Sequence, residues 1–290
     1  MKNFNFLLFS IFFLTFNPFV FSQKAKFKIV LDAGHGGKDY GNSHNGFVEK
    51  TISLKTTLKV GKLLEKQEDI EIIYTRTEDT YPTLKERANL ANKEDANLFV
   101  SIHCNAAQAF TAFGTETLVM GMSRTNTNLD VAKRENSVIL QEENYKEVYN
   151  GFDPNKPEFE TSMLLLQEEF LNQSIELANK IESNFQSLHK RKSRGVKQQP
   201  IWVLDATYMP SVLVELGFLS NKEEGNFLNT DDGQEKMAKA IADAILEYKK
   251  EYFVLSEKTE IKETPKEIEK ETKNDNQNKT SEKTNNNTKK

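Results

Sequence analysis

Residues 28–37, KIVLDAGHGG, join a short apolar run to a turn of small residues, and this stretch decides the fold. The run from Lys28 to Asp32 is typical of a buried strand that ends in a tight glycine loop. Two similar runs follow along the chain, residues 97–103 (NLFVSIH) and residues 212–215 (VLVE). We therefore expect three buried strands at the centre of the fold.

The segments between these runs alternate between helical and extended patterns. The predicted helices span residues 48–66, 84–93 and 237–252, and the other predicted strands span residues 70–75 and 114–120, the last as an edge strand. Strand alternating with helix is typical of an α/β fold with a largely parallel sheet. The sequence thus predicts a single domain, with a mostly parallel twisted sheet flanked by helices and a helical insertion before the last strand.

The two ends of the chain differ from this body. Residues 1–22 carry a lysine at position 2 and then a run of Phe, Leu and Ile, which predicts a signal peptide. A retained membrane anchor is the alternative. Either segment implies export. The periplasm is the expected location, and the cell wall or the exterior is the alternative. Residues 256–290 are mostly Lys, Glu, Thr and Asn and predict a disordered polar tail, which leaves residues 23–255 as the folded domain.

Composition excludes several classes of protein. The chain has 39 basic and 43 acidic residues, so a dedicated nucleic-acid binder is not expected. Its single cysteine, Cys104, excludes an internal disulfide framework and a zinc site made only of cysteines. No segment after residue 22 is apolar enough to predict a transmembrane helix.

Polar side chains stand where the three central strands end. His35 follows the first, His103 closes the second and Glu215 closes the last. Because active sites of open parallel sheets lie at the carboxyl ends of the strands, we expect these side chains to meet. A catalytic zinc needs about three protein ligands, and His35 and His103 are candidates for two of them. Glu49 is the candidate for the third, because it lies in the loop that crosses the same edge of the sheet, which we call the rim.

Each residue also has a simpler structural interpretation. His35 could end a glycine turn, Glu49 could be a first-turn carboxylate at a helix N-terminus, and His103 could be a hydrogen-bonded core histidine. Glu215 is harder to explain in this way, because a carboxylate within VLVELGF must be paired, metal-bound or perturbed. His44 is at best a reserve ligand or substrate contact, and His189 lies in a basic surface run.

Two other chemistries are disfavoured. The glycines at positions 34, 36 and 37 do not fit a phosphate-binding loop, since the third glycine of G-x-G-x-x-G would fall at Asp39. Cys104 could be the nucleophile of a thiol hydrolase. However, it directly follows His103 in an extended segment, where neighbouring side chains point to opposite faces.

From about Phe27 to Tyr252, the chain resembles the zinc-dependent N-acetylmuramoyl-L-alanine amidases. The resemblance rests on several ordered motifs: IVLDAGHGGKDYG, VEK, YTRTEDTYPTLKERANLAN, LFVSIHCNA and PSVLVELGFLSN. Two small departures are Tyr40, where proline is common, and Cys104, where a small residue is usual.

The resemblance implies one zinc ion held by His35, Glu49 and His103, with Glu215 as the catalytic residue. The implied reaction is hydrolysis of the amide between N-acetylmuramic acid and L-alanine of peptidoglycan, in cell-wall remodelling and daughter-cell separation. Glu215 would take a proton from the attacking water and return it to the departing amine. Arg76 and Arg87 are interpreted as structural, so substrate-binding residues are not assigned.

Two rival functions differ in class. One is a zinc peptidase or deacylase that acts on another cell-wall amide, which the shape of the pocket would decide. The other is a non-catalytic wall-binding protein. The complete ligand set argues against the second, because a binding module does not need the buried carboxylate of Glu215.

Residues 131–197 form a long insertion that includes the helical segment VAKRENSVILQEENYKEV. In the cell-division amidases that the chain resembles, a helix here blocks the pocket and a glutamate fills the open zinc position. The matching residue is Glu135, so the resemblance implies autoinhibition and an activator protein that displaces the helix. The alternative is an ordinary surface helix, with Val131, Val138 and Ile139 packed on the sheet and Glu135 in solvent.

Overall fold

The computed structural model of the chain describes residues 26–121, 130–153 and 164–262. Within them the strands are β1 (Phe27–Ala33), β2 (Ser43–His44), β3 (Phe47–Val48), β4 (Ile70–Tyr74), β5 (Leu98–Asn105), β6 (Thr115–Met120), β7 (Ser193–Gln199) and β8 (Ser211–Phe218). The helices are α1 (Glu49–Leu64), α2 (Leu84–Lys93), α3 (Asp130–Asn136), α4 (Tyr145–Val148), α5 (Leu164–His189), α6 (Trp202–Asp205), α7 (Lys222–Leu228) and α8 (Asp231–Lys262). A 3-10 helix at Ser137–Gln141 follows α3.

Six of these strands form one sheet in the order β4-β1-β5-β8-β6-β7. The pairs β1–β4, β1–β5, β5–β8 and β6–β7 are parallel, and β6–β8 is antiparallel. The predicted α/β fold with a mostly parallel sheet is therefore confirmed. The three apolar runs of the sequence lie side by side as β1, β5 and β8, and every residue of β5 and β8 is buried.

Strand β6 is not the edge strand that its sequence suggested, because β7 pairs with it on the outer side. The sequence of β7, SRGVKQQ, contains a single aliphatic residue, Val196. Neither an apolar run nor an alternating pattern was therefore present to predict a strand. The predicted helical insertion of residues 131–197 thus differs from the structure at its end, where residues 193–197 belong to β7.

Helices cover the sheet and enclose the core. Helix α1 packs on β1 and β5, while α5 packs on β6, β7 and β8. A cluster of buried side chains joins the sheet to the shorter helices: Val30, Phe99, Leu118 and Leu213 with Ala91 of α2, Ala132 of α3, and Val203 and Leu204 of α6. The burial of Ala132 anchors α3 against the sheet, beside the carboxyl ends of β1 and β5.

The first residues of the predicted disordered tail, residues 256–290, are helical in the structure. Helix α8 continues to Lys262, so residues 256–262 are helical. Lys, Glu and Thr at its end extend a helix that is already nucleated, and extension costs much less free energy than starting a new helix. By internal contacts the chain divides into one unit through Glu251 and a second from Tyr252. Residues 263–290 lie outside the described residues.

The predicted signal peptide, residues 1–22, also lies outside the described residues. Among the helices that the structure describes, none is long and apolar enough to cross a membrane.

Candidate metal centre and active site

Four side chains from separate segments meet at the carboxyl ends of β1 and β5. They belong to His35, Glu49, His103 and Glu135, and one donor atom of each lies within 4.8 Å of the others. All four residues are buried, with at most 8% of their surface exposed. The structure thus brings the three predicted zinc ligands together with the predicted inhibitory glutamate.

His35 lies in the turn after β1 and has a left-handed backbone conformation, with a φ of 58°. This conformation is uncommon for a residue with a Cβ and is often found at functional sites. Its Nδ1 lies 2.7 Å from Oδ2 of Asp39, so its Nε2 faces the cluster, 3.1 Å from Oε1 of Glu49. A carboxylate on the outer nitrogen is the usual support of a metal-bound histidine.

Two buried arginines hold the backbone of this turn. Arg76 donates to the carbonyls of residues 33–34 at 2.9 and 2.7 Å. Arg87 donates to the carbonyl of His35 at 2.7 Å and pairs with Asp32 at 2.6 Å. Both guanidinium groups bind the backbone of the turn, and Arg87 also forms a buried ion pair, which supports the structural interpretation of the two arginines.

Glu49 is the first residue of α1, and hydrogen bonds fix both of its carboxylate oxygens. Oε1 accepts from the backbone N–H of Cys104 at 2.8 Å. Oε2 accepts from the backbone and side-chain amides of Asn42 at 2.7 and 2.8 Å. Burial alone would raise the pKa of Glu49, but His35 and His103 outweigh it and lower that pKa to about 2.

Two glycines leave room for this arrangement. A Cβ on Gly34 would lie 2.5 Å from the ring of His103. Gly41 has a φ of 63°, and a Cβ there would lie 2.5 Å from the ring of His35 and 2.6 Å from Oε2 of Glu49. The glycines of this segment therefore allow close packing around the cluster.

His103 and Glu215 are paired in register on the neighbouring parallel strands β5 and β8. The Nδ1 of His103 lies 3.1 Å from Oε1 of Glu49. Burial opposes protonation of His103, yet Glu135 and Glu49 raise its pKa to about 9. Glu215 is fully buried, and burial together with the charge of Glu135 raises its pKa well above the usual value.

Helix α3 covers the cluster with two consecutive side chains. Oε2 of Glu135 lies 3.0 Å from Nδ1 of His103 and 3.4 Å from Nε2 of His35. The neighbouring Arg134 places Nη2 3.4 Å from Oε1 of Glu215. The cavity that remains beside the histidines and Glu135 is about 20 Å³, room for about one water molecule. A glycan strand with its peptide does not fit there.

The donor atoms of the cluster suit a zinc ion. Nε2 of His35 and Oε2 of Glu135 are both buried and make no hydrogen bond within the described residues. Leaving such atoms unpaired is unfavourable, whereas two imidazoles and one or two carboxylates are a usual donor set for zinc. The four residues therefore form a candidate metal site.

The remaining candidates of the sequence lie outside this cluster. His44 is half-buried in β2, and His189 is half-buried at the end of α5. Cys104 is buried, and burial together with nearby carboxylates raises the pKa of its thiol well above the usual value. A raised pKa disfavours the thiolate that a cysteine nucleophile requires, so the thiol-hydrolase alternative receives no support.

Three residues of the site were missed from the sequence. Asp39 supports His35, Asn42 supports Glu49, and Arg134 contacts Glu215. The first two carried a signal, because polar residues within the glycine loop that holds a ligand are obvious supports for it. Arg134 carried none, since only the docking of α3 brings it to Glu215.

Comparison with known proteins agrees with this geometry. Residues 29–247 match the Amidase_3 family, described as N-acetylmuramoyl-L-alanine amidase. The N-acetylmuramoyl-L-alanine amidase AmiA of Escherichia coli is 32% identical over 223 residues, which cover 76% of this chain and 75% of AmiA.

Solved structures give the same result. The N-acetylmuramoyl-L-alanine amidase from Clostridium difficile 630 is 28% identical with a TM-score of 0.59, over 77% of this chain and 96% of that one. The CwlD amidase from Clostridioides difficile, solved in complex with the GerS lipoprotein, is 28% identical with a TM-score of 0.56, over 76% and 97%. Because the family match spans almost the whole first unit, including the strands that carry the cluster, this chain belongs to the N-acetylmuramoyl-L-alanine amidases of the Amidase_3 family.

Proposed function

We propose that this amidase uses one zinc ion, held by His35, Glu49 and His103, and that helix α3 keeps it inactive until a partner protein displaces the helix. The observation that carries the proposal is the position of Glu135, whose carboxylate lies among the three proposed ligands. A fourth protein donor at a catalytic zinc takes the position that water or substrate needs.

The reaction follows from the substrate bond and from Glu215. The amide between the lactyl carbonyl of N-acetylmuramic acid and the nitrogen of L-alanine is cleaved by water, which gives a carboxylate and an ammonium group. When bound, zinc would supply Lewis-acid polarisation of the carbonyl and lower the pKa of water. Glu215 takes a proton from the attacking water and delivers it to the nitrogen of L-alanine as the bond breaks.

The positions of the other residues support these roles. Asp39 and Asn42 keep His35 and Glu49 in place, so the ligand set needs little rearrangement to bind a metal. Glu215 stands in register with His103 on the neighbouring strand, which supports its role as the proton carrier beside the proposed metal. Its burial raises its pKa, as a group that both accepts and returns a proton near neutral pH requires.

The inhibited state would combine two contacts. Glu135 competes for the open ligand position, and Arg134 engages the carboxylate of Glu215. Displacing α3 would vacate both positions and enlarge the 20 Å³ cavity into a pocket that admits substrate. A partner would do this by binding preferentially to the form in which α3 is displaced.

Export and cell-wall partners complete the proposal. The composition of residues 1–22 supports cleavage as a signal peptide, which would place the enzyme with its peptidoglycan substrate in the periplasm. The CwlD relative was solved with the GerS lipoprotein, an example of a similar fold that forms a complex with another protein. An enzyme that can lyse its own cell needs such restraint, which fits a role in separating daughter cells.

The test of inhibition compares Glu135→Ala with Glu143→Ala in the mature chain. Glu143 is an exposed carboxylate a few residues further on, so its removal changes the net charge equally. We expect Glu135→Ala alone to raise the basal release of peptides from purified peptidoglycan, while zinc content stays at about one equivalent. Equal basal rates in the two variants would overturn the inhibitory role of Glu135.

The test of the chemistry uses Glu215→Gln in the Glu135→Ala background. The amide keeps the side-chain volume, so we expect zinc and fold to be retained while turnover falls about 10²–10⁴-fold. Mass spectrometry of the released peptides should show intact stems that begin with L-alanine. Peptides cut within the stem would instead support the peptidase alternative, and near-normal turnover would assign the proton transfer to another group.

A further inference from the structure

An open groove of about 920 Å³ lies next to the metal site, on the outer side of α3. Its walls are the loop after β5, the strand β7 and the exposed side of α3, and we call it the β7 groove. Its charged lining residues are Glu116, Asp130, Arg134, Arg194 and Lys197. Arg134 is paired with Glu135 and Glu215, whereas Arg194 and Lys197 share the single carboxylate of Glu116. The β7 side of the groove therefore has an excess of positive charge, although the chain as a whole is acidic.

Glu116, at the base of the groove, is a buried carboxylate with 3% of its surface exposed. It accepts a hydrogen bond from Nε of Arg194 at 3.0 Å and lies 3.4 Å from Nζ of Lys197. One carboxylate thus orients two cations of β7, whose side chains are 33% and 39% exposed. The excess charge lies where a ligand in the groove can reach it.

The guanidinium group of Arg194 is only partly used. Its Nε donates to Glu116, and its Cζ lies over the ring of Phe218, 4.9 Å from the centroid. Within the described residues no hydrogen bond is made by its two terminal nitrogens. Ring and carboxylate hold the group in one orientation, so its fork is ready for the two oxygens of a carboxylate.

A chain of contacts connects this group to the proposed active site. Glu116 stands opposite Glu215 in the antiparallel pair β6–β8, so the two side chains share one face of the sheet. Asn105 donates to Glu116 at 2.7 Å and accepts from Arg134 at 3.0 Å, and Arg134 in turn contacts Glu215. A substrate bound at Glu215 therefore has the β7 groove directly beside it.

The chemistry of the substrate indicates what the groove holds. Cleavage leaves the glycan on one side of the broken bond and the peptide stem on the other. The glycan strand offers hydroxyl and acetamido groups, whereas the stem continues from L-alanine to a γ-linked glutamate with an α-carboxyl group. That group, free or amidated, lies one residue beyond the scissile amide. Of the two halves of the substrate, only the stem supplies a carboxylate so close to Glu215.

We propose that Arg194, assisted by Lys197, binds the α-carboxylate of the second stem residue and thereby makes the enzyme selective for stems in which that group is not amidated. This inference rests on the proposed function, because it takes the cluster around Glu215 as the place of cleavage. Arg194 becomes a specificity-determining residue, since an amide in the same position would lack the charge that its guanidinium group attracts.

The test measures equilibrium binding of two cleavage products, L-Ala-γ-D-Glu and its α-amide L-Ala-D-isoGln, to the mature chain and to the Glu135→Ala variant by calorimetry. We expect the free acid to bind about tenfold more tightly than the amide to at least one of these chains, as for a charge-assisted pair that is partly exposed. Arg194→Gln should reduce this ratio to about one by weakening only the acid. Lys192→Gln is the matched control, because Lys192 is an exposed cation two residues away that does not line the groove.

Binding needs no turnover, so the result is independent of whether Glu135 inhibits the enzyme or Glu215 carries the proton. The ratio of acid to amide also separates recognition from misfolding, because an unfolded variant would lose both ligands. Equal binding of acid and amide to both chains, a preference that survives in Arg194→Gln, or no binding of either peptide to either chain would overturn the proposal.

Discussion

Glu49 and Glu135 place carboxylates at the same cluster, but the two residues are held in different ways. Glu49 begins a helix of 16 residues, and backbone and side-chain amides bind both of its oxygens. Glu135 lies in a helix of seven residues, and its Oε2 makes no hydrogen bond within the described residues. That oxygen lies 3.0 Å from Nδ1 of His103 and 3.4 Å from Nε2 of His35, while Oε1 accepts one hydrogen bond, from Nε of the neighbouring Arg134 at 3.1 Å.

The difference separates a fixed candidate ligand from a replaceable one. The surroundings of Glu49 hold its carboxylate in place whether or not a metal is bound. Glu135 is positioned by the packing of α3, in which Ala132 is buried and Asn136 forms hydrogen bonds to the backbone of residues 200 and 202. The rim of the sheet is therefore a preformed site, whereas α3 is a separate element that covers it.

The largest effect should come from removing a ligand on the rim. In His103→Ala we expect the loss of bound zinc and a fall of activity to background, because two remaining ligands hold the metal weakly. Metal analysis of the purified mature chain provides the measurement. His44→Ala is the control, since His44 is half-buried in β2 and outside the cluster. Full zinc occupancy in His103→Ala would show that the rim is not the metal site.

The second largest effect should come from the buried ion pair of Asp32 and Arg87, the arginine that binds the backbone of His35. Asp32→Asn leaves Arg87 buried without its charged partner, which should lower the free energy of unfolding by about 3–5 kcal/mol near neutral pH. The control Asp232→Asn removes an exposed pair with Lys236, for which we expect about 1 kcal/mol or less. Urea unfolding of the mature chain measures both values.

The effect of Asp32→Asn should also depend on pH. Burial would raise the pKa of Asp32, but Arg87 and the hydroxyls of Ser101 and Thr75 lower it below its usual value. The folded state then releases this proton more readily than the unfolded state. The contribution of Asp32 to the free energy of unfolding is therefore complete above about pH 4 and is lost as pH falls through the pKa of the folded state. A difference in the free energy of unfolding between wild type and Asp32→Asn that stayed constant below about pH 4 would contradict this account.

The smallest effect should come from helix α3, which covers the metal site. Arg134→Gln removes the contact with Glu215 and the hydrogen bond that Nε of Arg134 donates to Oε1 of Glu135 at 3.1 Å. The carboxylate of Glu135 itself is kept, so we expect basal activity to rise only a few-fold, less than in Glu135→Ala. An ion pair that is partly exposed contributes about 1 kcal/mol, roughly a fivefold change in an equilibrium. Lys133→Gln, at an exposed position of the same helix, is the control. A decrease in basal activity in Arg134→Gln would mean that the arginine assists catalysis instead of restraining it.

The rim could be predicted from the sequence because its signals are local. His35, His103 and Glu215 each interrupt an apolar run at the end of a strand, and parallel strands bring such ends together. The adjoining glycines fit the same picture, since Gly34 and Gly41 lie against the rings of the two histidines. Local patterns of residue type are therefore enough to identify the residues that meet at the rim.

The surroundings of α3 could be predicted only in part. Resemblance to a known family pointed to Glu135, but the contact of Arg134 with Asn105 joins positions 29 residues apart and depends on how the helix docks. The strand β7 was missed because its charged and amide side chains carry no apolar pattern. That strand supplies Arg194 and Lys197, so the β7 groove was missed with it.

Arg134 and Glu135 are consecutive residues, and one turn of helix therefore carries both contacts to the active site. In the proposed mechanism, a rigid shift of α3 that frees the metal position would also free Glu215. Activation would then be all-or-none in each molecule, and a limiting amount of activator would set how many enzymes work instead of how fast each one works. Hydrolysis of the wall would accordingly be confined to the places where the activator is found, since a chain without it would have neither its metal position nor its proton carrier available.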